Sequence, residues 1–431
     1  MICYKKITLV REAQLRILSS EFDTMSEKPQ IPSASVKASG SHKPPPPPPP
    51  KQRSTSASKV ADPNTSVKKL VKQAFDRNAS DVHIRVGELP RFRIRGKMEE
   101  LDRAVKVTPA IFEQYLTEIL TSEQRKQFAK EKELDTAVFY PGLVRCRVNC
   151  FDSLTGGAMV LRLITLDVPT IDKLHLPQVL KKIVGYSQGL VLVTGPTGSG
   201  KSTTMAAMLD HLNETSHEHI VTIEDPIEFV HSSKKCLISQ REVGLHTLEF
   251  HQALRAVLRE DPDVILIGEM RDRITINTAL QAAQTGHLVL GTLHTRNAID
   301  SVNRLLNLYP PDEQPIMRVQ LVESLVAVVA QLLLPTTDRK RVAVHDILIN
   351  TAAMKDFLMR GEEDEAFHLM KTDTMEGMQI LNQALYKEIL DGRITIEDAQ
   401  KVSPDPGELD RLMRTGGYDA SSSPREWTMP E

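Results

Sequence analysis

The sequence predicts an α/β protein: a parallel sheet with helices on its faces, preceded by a smaller α+β domain and followed by a helical region. Three observations carry that reading. Residues 189–204 read GLVLVTGPTGSGKSTT: an apolar strand, a glycine-rich loop, then a helix continued by Met205, Met208, Leu209 and Leu212. From residue 186 onward, strand-like and helix-like segments alternate, the signature of a parallel sheet. Upstream, ASDVHIRVGE and PRFRIRGKMEEL alternate apolar and polar residues around a glycine-containing turn, which predicts strands.

Taken in order, residues 1–65 are expected to be a disordered tail. The stretch is rich in Ser, Pro and Lys and holds seven consecutive prolines, Pro44 to Pro50. Such a composition favours a stiff polyproline II spacer, or a docking site for a proline-reading partner. Met25 offers an alternative start. MICYKKITLV has too short an apolar core for a signal peptide. Residues 66–165 form the α+β domain. Val67, Leu70, Val71 and Phe75 mark one helix, and Ile111, Tyr115, Leu116 and Ile119 another. Residues 143–151 and 158–165 read as a hairpin around Thr155–Gly157. Residues 166–185 link it to the α/β core at 186–350, whose strands are expected at 189–194, 219–223, 264–268, 287–293 and 342–349. Residues 317–334 are so apolar that a buried helix is expected there. Residues 351–414 are expected to be helical, and 415–431 a flexible tail.

Composition narrows the function. The chain has 431 residues, 54 Lys+Arg against 56 Asp+Glu, and 4% aromatics. That balance disfavours a nucleic-acid surface, so a DNA-translocating motor is not expected. No run of 18 apolar residues predicts a membrane span, and the four cysteines suit a reducing, cytoplasmic setting. Cys146 and Cys150 lack nearby partner ligands and read as buried thiols rather than a zinc site.

The loop Gly195-Pro196-Thr197-Gly198-Ser199-Gly200-Lys201-Ser202-Thr203 carries GxxxxGK[ST] between strand and helix. Glycines there let backbone N–H groups curl around an anion, and the helix N-terminus adds positive potential. Lys201 is expected on β- and γ-phosphates and Ser202 on Mg²⁺. ATP and Mg²⁺ are therefore the expected cofactors. REDPDVILIGEMRD (259–272) puts Glu269 at a strand's carboxyl end, where ligands of open α/β sheets lie, as a second candidate for the metal shell. Gly268 precedes it, where an acid is usual. In TIEDPIEF (222–229), Glu224 is the candidate base for the attacking water. Asp225 supports it or the metal, or else caps the Asp-Pro turn. In TGHLVLGTLHT (285–295), His294 is a candidate γ-phosphate sensor and His287 a candidate structural histidine. Arg145, Arg147 and Arg162 lie on strands of the first domain. They read either as solvated charge or as arginine fingers reaching a nucleotide across a subunit boundary.

In this order, these blocks resemble the secretion ATPase superfamily that drives type II secretion and type IV pili, and within it the pilus-retraction ATPases. The resemblance spans about residues 66–414. TIEDPIEF is similar to the family's Asp box, LREDPDVILIGEMRD to its Walker B signature and GHLVLGTLHT to its His box. ASDVHI and RCRVN are similar to its N-terminal domain. The resemblance implies a RecA-like ATPase domain after a PAS-like domain. It also implies a homo-hexamer hydrolysing ATP between the two domains, with Arg145, Arg147 and Arg162 as candidates to close on the phosphates. An inner-membrane platform protein, contacted from the cytoplasm, is the implied partner, and other pilus ATPases are possible ones. The implied work is pilus retraction in twitching motility. Extension and secretion ATPases usually carry a large extra N-terminal domain and a tetracysteine loop, whereas residues 1–65 are expected to be disordered and the four cysteines form no such cluster. The retraction motif AIRNLIRE is only partly matched by AMKDFLMRG (353–361), where Arg360 survives. Pilus extension, secretion, or a regulatory ring subunit with little turnover are the alternatives.

Overall fold

The computed structural model describes residues 66–101, 104–164 and 166–416. The proline tract, Met25 and the expected tail beyond residue 416 lie outside the described residues.

Two sheets organise the described chain. The first is antiparallel, in the order β3-β2-β1-β6-β5-β4. Its strands are β1 (Ala79–Arg85), β2 (Arg91–Ile94), β3 (Lys97–Glu100), β4 (Glu133–Tyr140), β5 (Val144–Ser153) and β6 (Gly156–Ile164). Alternation does what it should on β5: Val144, Cys146, Val148 and Cys150 all face the core. They share that core with Val67, Leu70 and Val71 of the helix Val67–Asp76, and with Phe112, Tyr115 and Leu116 of the helix Pro109–Ile119. Gly157 is required by the approach of Phe112: a Cβ there would lie 2.2 Å from its ring. Burial pushes both thiols, Cys146 and Cys150, up to about 12, so they pack as small apolar groups.

The segment 90–101 is two strands rather than one. Arg95 (φ 48°) and Gly96 (φ 81°) turn β2 into β3, and paired positive φ values are what a two-residue hairpin demands. The helix Ser122–Glu131 was not expected. It buries no residue and therefore has no apolar period; a capping box between Thr121 and Gln124 starts it.

The second sheet runs β13-β12-β7-β11-β10-β8-β9. Its strands are β7 (Gly189–Thr194), β8 (His219–Glu224), β9 (Leu237–Glu242), β10 (Val264–Ile267), β11 (Leu288–Thr292), β12 (Leu325–Pro335) and β13 (Arg341–Ile349). Every neighbouring pair is parallel except β12 with β13. All six residues of β7 are buried, as a central parallel strand requires.

The expected helix over 317–334 is corrected. A helix, Gln314–Ser324, stops at Ser324, and LVAVVAQLLLP continues as β12. An unbroken apolar run carries no period, so helix and two-sided buried strand look alike in it. Packing between β7 and β13 decides for the strand, and the valines suit it. Five helices, from Ala352–Arg360 to Pro406–Thr415, follow. The last three close a small core over β12 and β13, with Leu385 and Leu409 against Val344.

Candidate active site

The loop between β7 and the helix Lys201–Thr215 bends where only glycine is comfortable. Gly195, Gly198 and Gly200 have φ of 139°, 81° and 87°. A Cβ at Gly195 would sit 2.3 Å from the Gln331 carbonyl oxygen, so the loop lies directly on β12. Gly200 occupies the N-cap position, aiming the helix's free N–H groups and positive end into a cavity of about 1200 Å³. Lys201 folds onto the loop: its Nζ donates to Gly195 O at 2.7 Å and Pro196 O at 3.2 Å. Burial lowers its pKa. The Ser199 hydroxyl is buried without a partner. Ser202 and Thr203 open the helix and line the cavity.

Two strand ends supply carboxylates to the same cavity. Glu224 ends β8; its Oε1 accepts from Thr222 Oγ1 at 2.6 Å and Gln240 Nε2 at 3.1 Å. Burial outweighs these bonds and raises its pKa. Glu269 lies just past β10. Arg271 Nη2 donates to its Oε2 at 2.6 Å, and His294 Nε2 lies 3.1 Å from its Oε1. The bond from Arg271 is the main cause of its lowered pKa. A carboxylate acceptor makes Nε2 the protonated nitrogen of His294, leaving Nδ1 toward the Lys201 ammonium at 3.5 Å. Thr292 Oγ1 donates to Gly268 O, fastening β11 to the turn that carries Glu269. Gly268 stands where an acid is usual, and a Cβ there would be 3.1 Å from Ile223 O, a tight contact on the strand bearing Glu224.

The remaining expected residues divide. Asp225 is exposed, lines the cavity and makes no side-chain hydrogen bond among the described residues, so the turn-capping reading gains nothing there. His287 lies outside the cavity, its Nδ1 3.0 Å from Ala282 O, as a structural histidine. Arg145 is not solvated. Its buried guanidinium donates to Glu242 Oε2 and, at 3.3 Å, to Ile227 O. Glu242 also accepts from Ile227 N at 3.0 Å. The first sheet thus grips the turn that follows Glu224 and Asp225. Arg162 pairs with Asp81 at 2.9 Å and is 68% exposed. Arg147 stands opposite Arg162 in the β5–β6 register and is exposed. None of the three lines the cavity.

Arg271 and Gln331 escaped the sequence reading. Arg271 sits inside a quoted motif, and only its contact with Glu269 marks it. Gln331 had one signal, a lone amide in an apolar run.

Among the described residues no three His, Cys, Asp or Glu side chains form a metal cluster. Ser202 and Glu269 line the same cavity, and their hydroxyl and carboxylate are oxygen donors of the kind Mg²⁺ takes beside phosphate and water.

A family model described as "Type II/IV secretion system protein" matches residues 58–402. The type IV pilus retractation ATPase PilT of Pseudomonas aeruginosa is 43% identical over 343 residues, 79% of this chain and 98% of that protein. The type IV pilus ATPase PilU of the same organism is 39% identical over 350 residues, 81% and 91% of the two chains. A crystal structure of the pilus retraction motor PilT with bound ADP superposes with a TM-score of 0.75 at 41% identity, covering 80% of this chain and 99% of that one.

Proposed function

The chain belongs to the type II/IV secretion system protein family, and on that premise we propose that it is an ATPase motor subunit of type IV pilus retraction. The observation that carries this is convergence: Lys201, Glu224, Glu269 and His294 line one cavity around a glycine loop. The family and the ADP-bound relative support a nucleotide as its occupant.

ATP enters with its phosphates on the loop. Lys201 exchanges the Gly195 and Pro196 carbonyls for phosphate oxygens, which offer full negative charge to the same ammonium. Glu224, its basicity raised by burial, takes the proton of the attacking water. Ser202 and Glu269 would hold Mg²⁺, which would supply charge neutralisation on the phosphates. His294 lies between Lys201 and Glu269 and registers whether the terminal phosphate is present. Products are ADP and phosphate.

A homo-hexameric ring is proposed, with the exposed Arg147 and Arg162 as candidates to reach a neighbour's nucleotide. Arg145 acts within its own chain, coupling the first sheet to the Glu224 turn. The proposed partner is an inner-membrane platform protein met from the cytoplasm. No described helix is long and apolar enough to cross a membrane.

The test is Lys201→Ala. It is expected to lose nucleotide binding or turnover while circular dichroism stays unchanged; full ATPase activity in the variant overturns the assignment. Deleting the gene tests direction: over-piliated, immotile cells support retraction, and bald cells mean extension instead.

A further inference from the structure

Gln331 is the one amide in the apolar β12 run, and it is buried. Its hydrogen bonds determine its orientation without ambiguity. One side faces the Ser199 carbonyl at 2.6 Å, which can only accept, so the Gln331 NH₂ must lie there. Its Oε1 then faces Thr204 Oγ1 at 2.7 Å and His345 Nε2 at 3.1 Å, and both must donate. His345, buried on β13, is accordingly the Nε2–H tautomer, and burial lowers its pKa to about 4, so it stays neutral. Two donors therefore lock the amide and forbid the flip that would set oxygen against oxygen at Ser199.

The consequence lies in the loop. A trans peptide points its C=O and the next N–H in opposite directions. Drawing the Ser199 carbonyl toward β12 turns the Gly200 N–H the other way. Gln331 adds to this twice: its backbone carbonyl oxygen leaves no room for a Cβ at Gly195, and its side-chain Nε2 would lie 3.0 Å from one at Gly200.

We propose that Gln331 is a positioning residue of the phosphate loop, locked by Thr204 and His345 so that it holds the Ser199 carbonyl back and presents the Gly200 N–H to the phosphates. The proposal rests on the nucleotide reading of the cavity. Gln331 touches no reacting atom. Its effect falls on the affinity of phosphate-bearing nucleotides and leaves the Glu224, Glu269 and His294 chemistry alone.

The experiment is calorimetric titration of the full chain with MgADP, alongside steady-state kinetics. Gln331→Met keeps the volume and removes the donor. Its MgADP Kd and its KM for ATP are expected to rise about ten- to a hundredfold, with kcat within about threefold of wild type. Gln331→Glu sets a carboxylate against a carbonyl and is expected to bind more weakly still. Thr204→Val removes one locking donor from a near-isosteric side chain; a rise of about threefold to tenfold is expected, and this variant carries the test should Gln331→Met fail to fold. A protected ring N–H of His345, shifting in nuclear magnetic resonance when MgADP is added, is the spectroscopic counterpart. An unchanged Kd in folded Gln331→Met, or in Thr204→Val if that variant must serve, overturns the proposal, as does a loss confined to kcat or melting temperature. Wild-type protein that does not bind MgADP would instead sink the nucleotide reading, and this inference with it.

Discussion

Two strands of one sheet, β8 and β10, run side by side and each brings a glutamate to the same cavity, Glu224 at the end of β8 and Glu269 just past β10, yet the surroundings of the two acids differ. Glu224 is half-buried, and the donors on its carboxylate, the Thr222 hydroxyl, the Gln240 amide and the Glu228 backbone N–H, are all neutral. Its pKa is raised. Glu269 meets Arg271 and His294, and its pKa is lowered. One is kept basic and the other kept charged. A base must want a proton, and a metal or phosphate-end ligand must not, so opposite environments divide the labour between chemically equivalent side chains. The two strand ends meet closely at Gly268, whose N–H donates to Ile223 O at 2.9 Å.

The contrast can be attacked from the charged side first. Glu269→Gln removes the anion held by Arg271 and His294. Turnover is expected to fall by about a hundredfold or more, with a raised Mg²⁺ requirement, in a phosphate-release assay. A fall in turnover that excess Mg²⁺ fully restores would confine Glu269 to metal affinity.

A smaller effect is expected from Gln240→Leu. Losing a hydrogen bond to the charged form raises the Glu224 pKa further. The base works only when ionised, so the rate falls as pH falls through that pKa. The variant's acid limb is therefore expected to move to higher pH than the wild type's, with activity lost on the acid side of the profile and little changed on its alkaline plateau. A limb that does not move would detach Glu224 from the pH profile.

Arg271→Ala should do least. It returns Glu269 toward an ordinary carboxylate, which is still ionised at pH 8, so kcat there is expected to change by less than about threefold. A larger loss would mean that Arg271 itself contacts the nucleotide.

What was legible in the sequence was what local backbone demands write into it. Gly198 and Gly200 are needed for positive φ, so the loop announces itself, and Glu224 and Glu269 are visible because each closes an apolar strand. What stayed hidden depends on partners far along the chain. Gln331 acquires meaning from Ser199, 132 residues away, and Arg145 from Glu242, 97 residues away. Neither pairing leaves a local pattern. β12 was misread for a related reason: a strand buried on both faces loses its alternation, and only its neighbours β7 and β13 identify it.

The central claim, that a half-buried glutamate on β8 activates water against a triphosphate gripped by the loop, is met most directly by Glu224→Gln. Phosphate release and ATP retention would be measured on the same sample at pH 8. The account predicts ATP held with near wild-type affinity and release slowed by about a hundred- to ten-thousandfold. Release at the wild-type rate would contradict it.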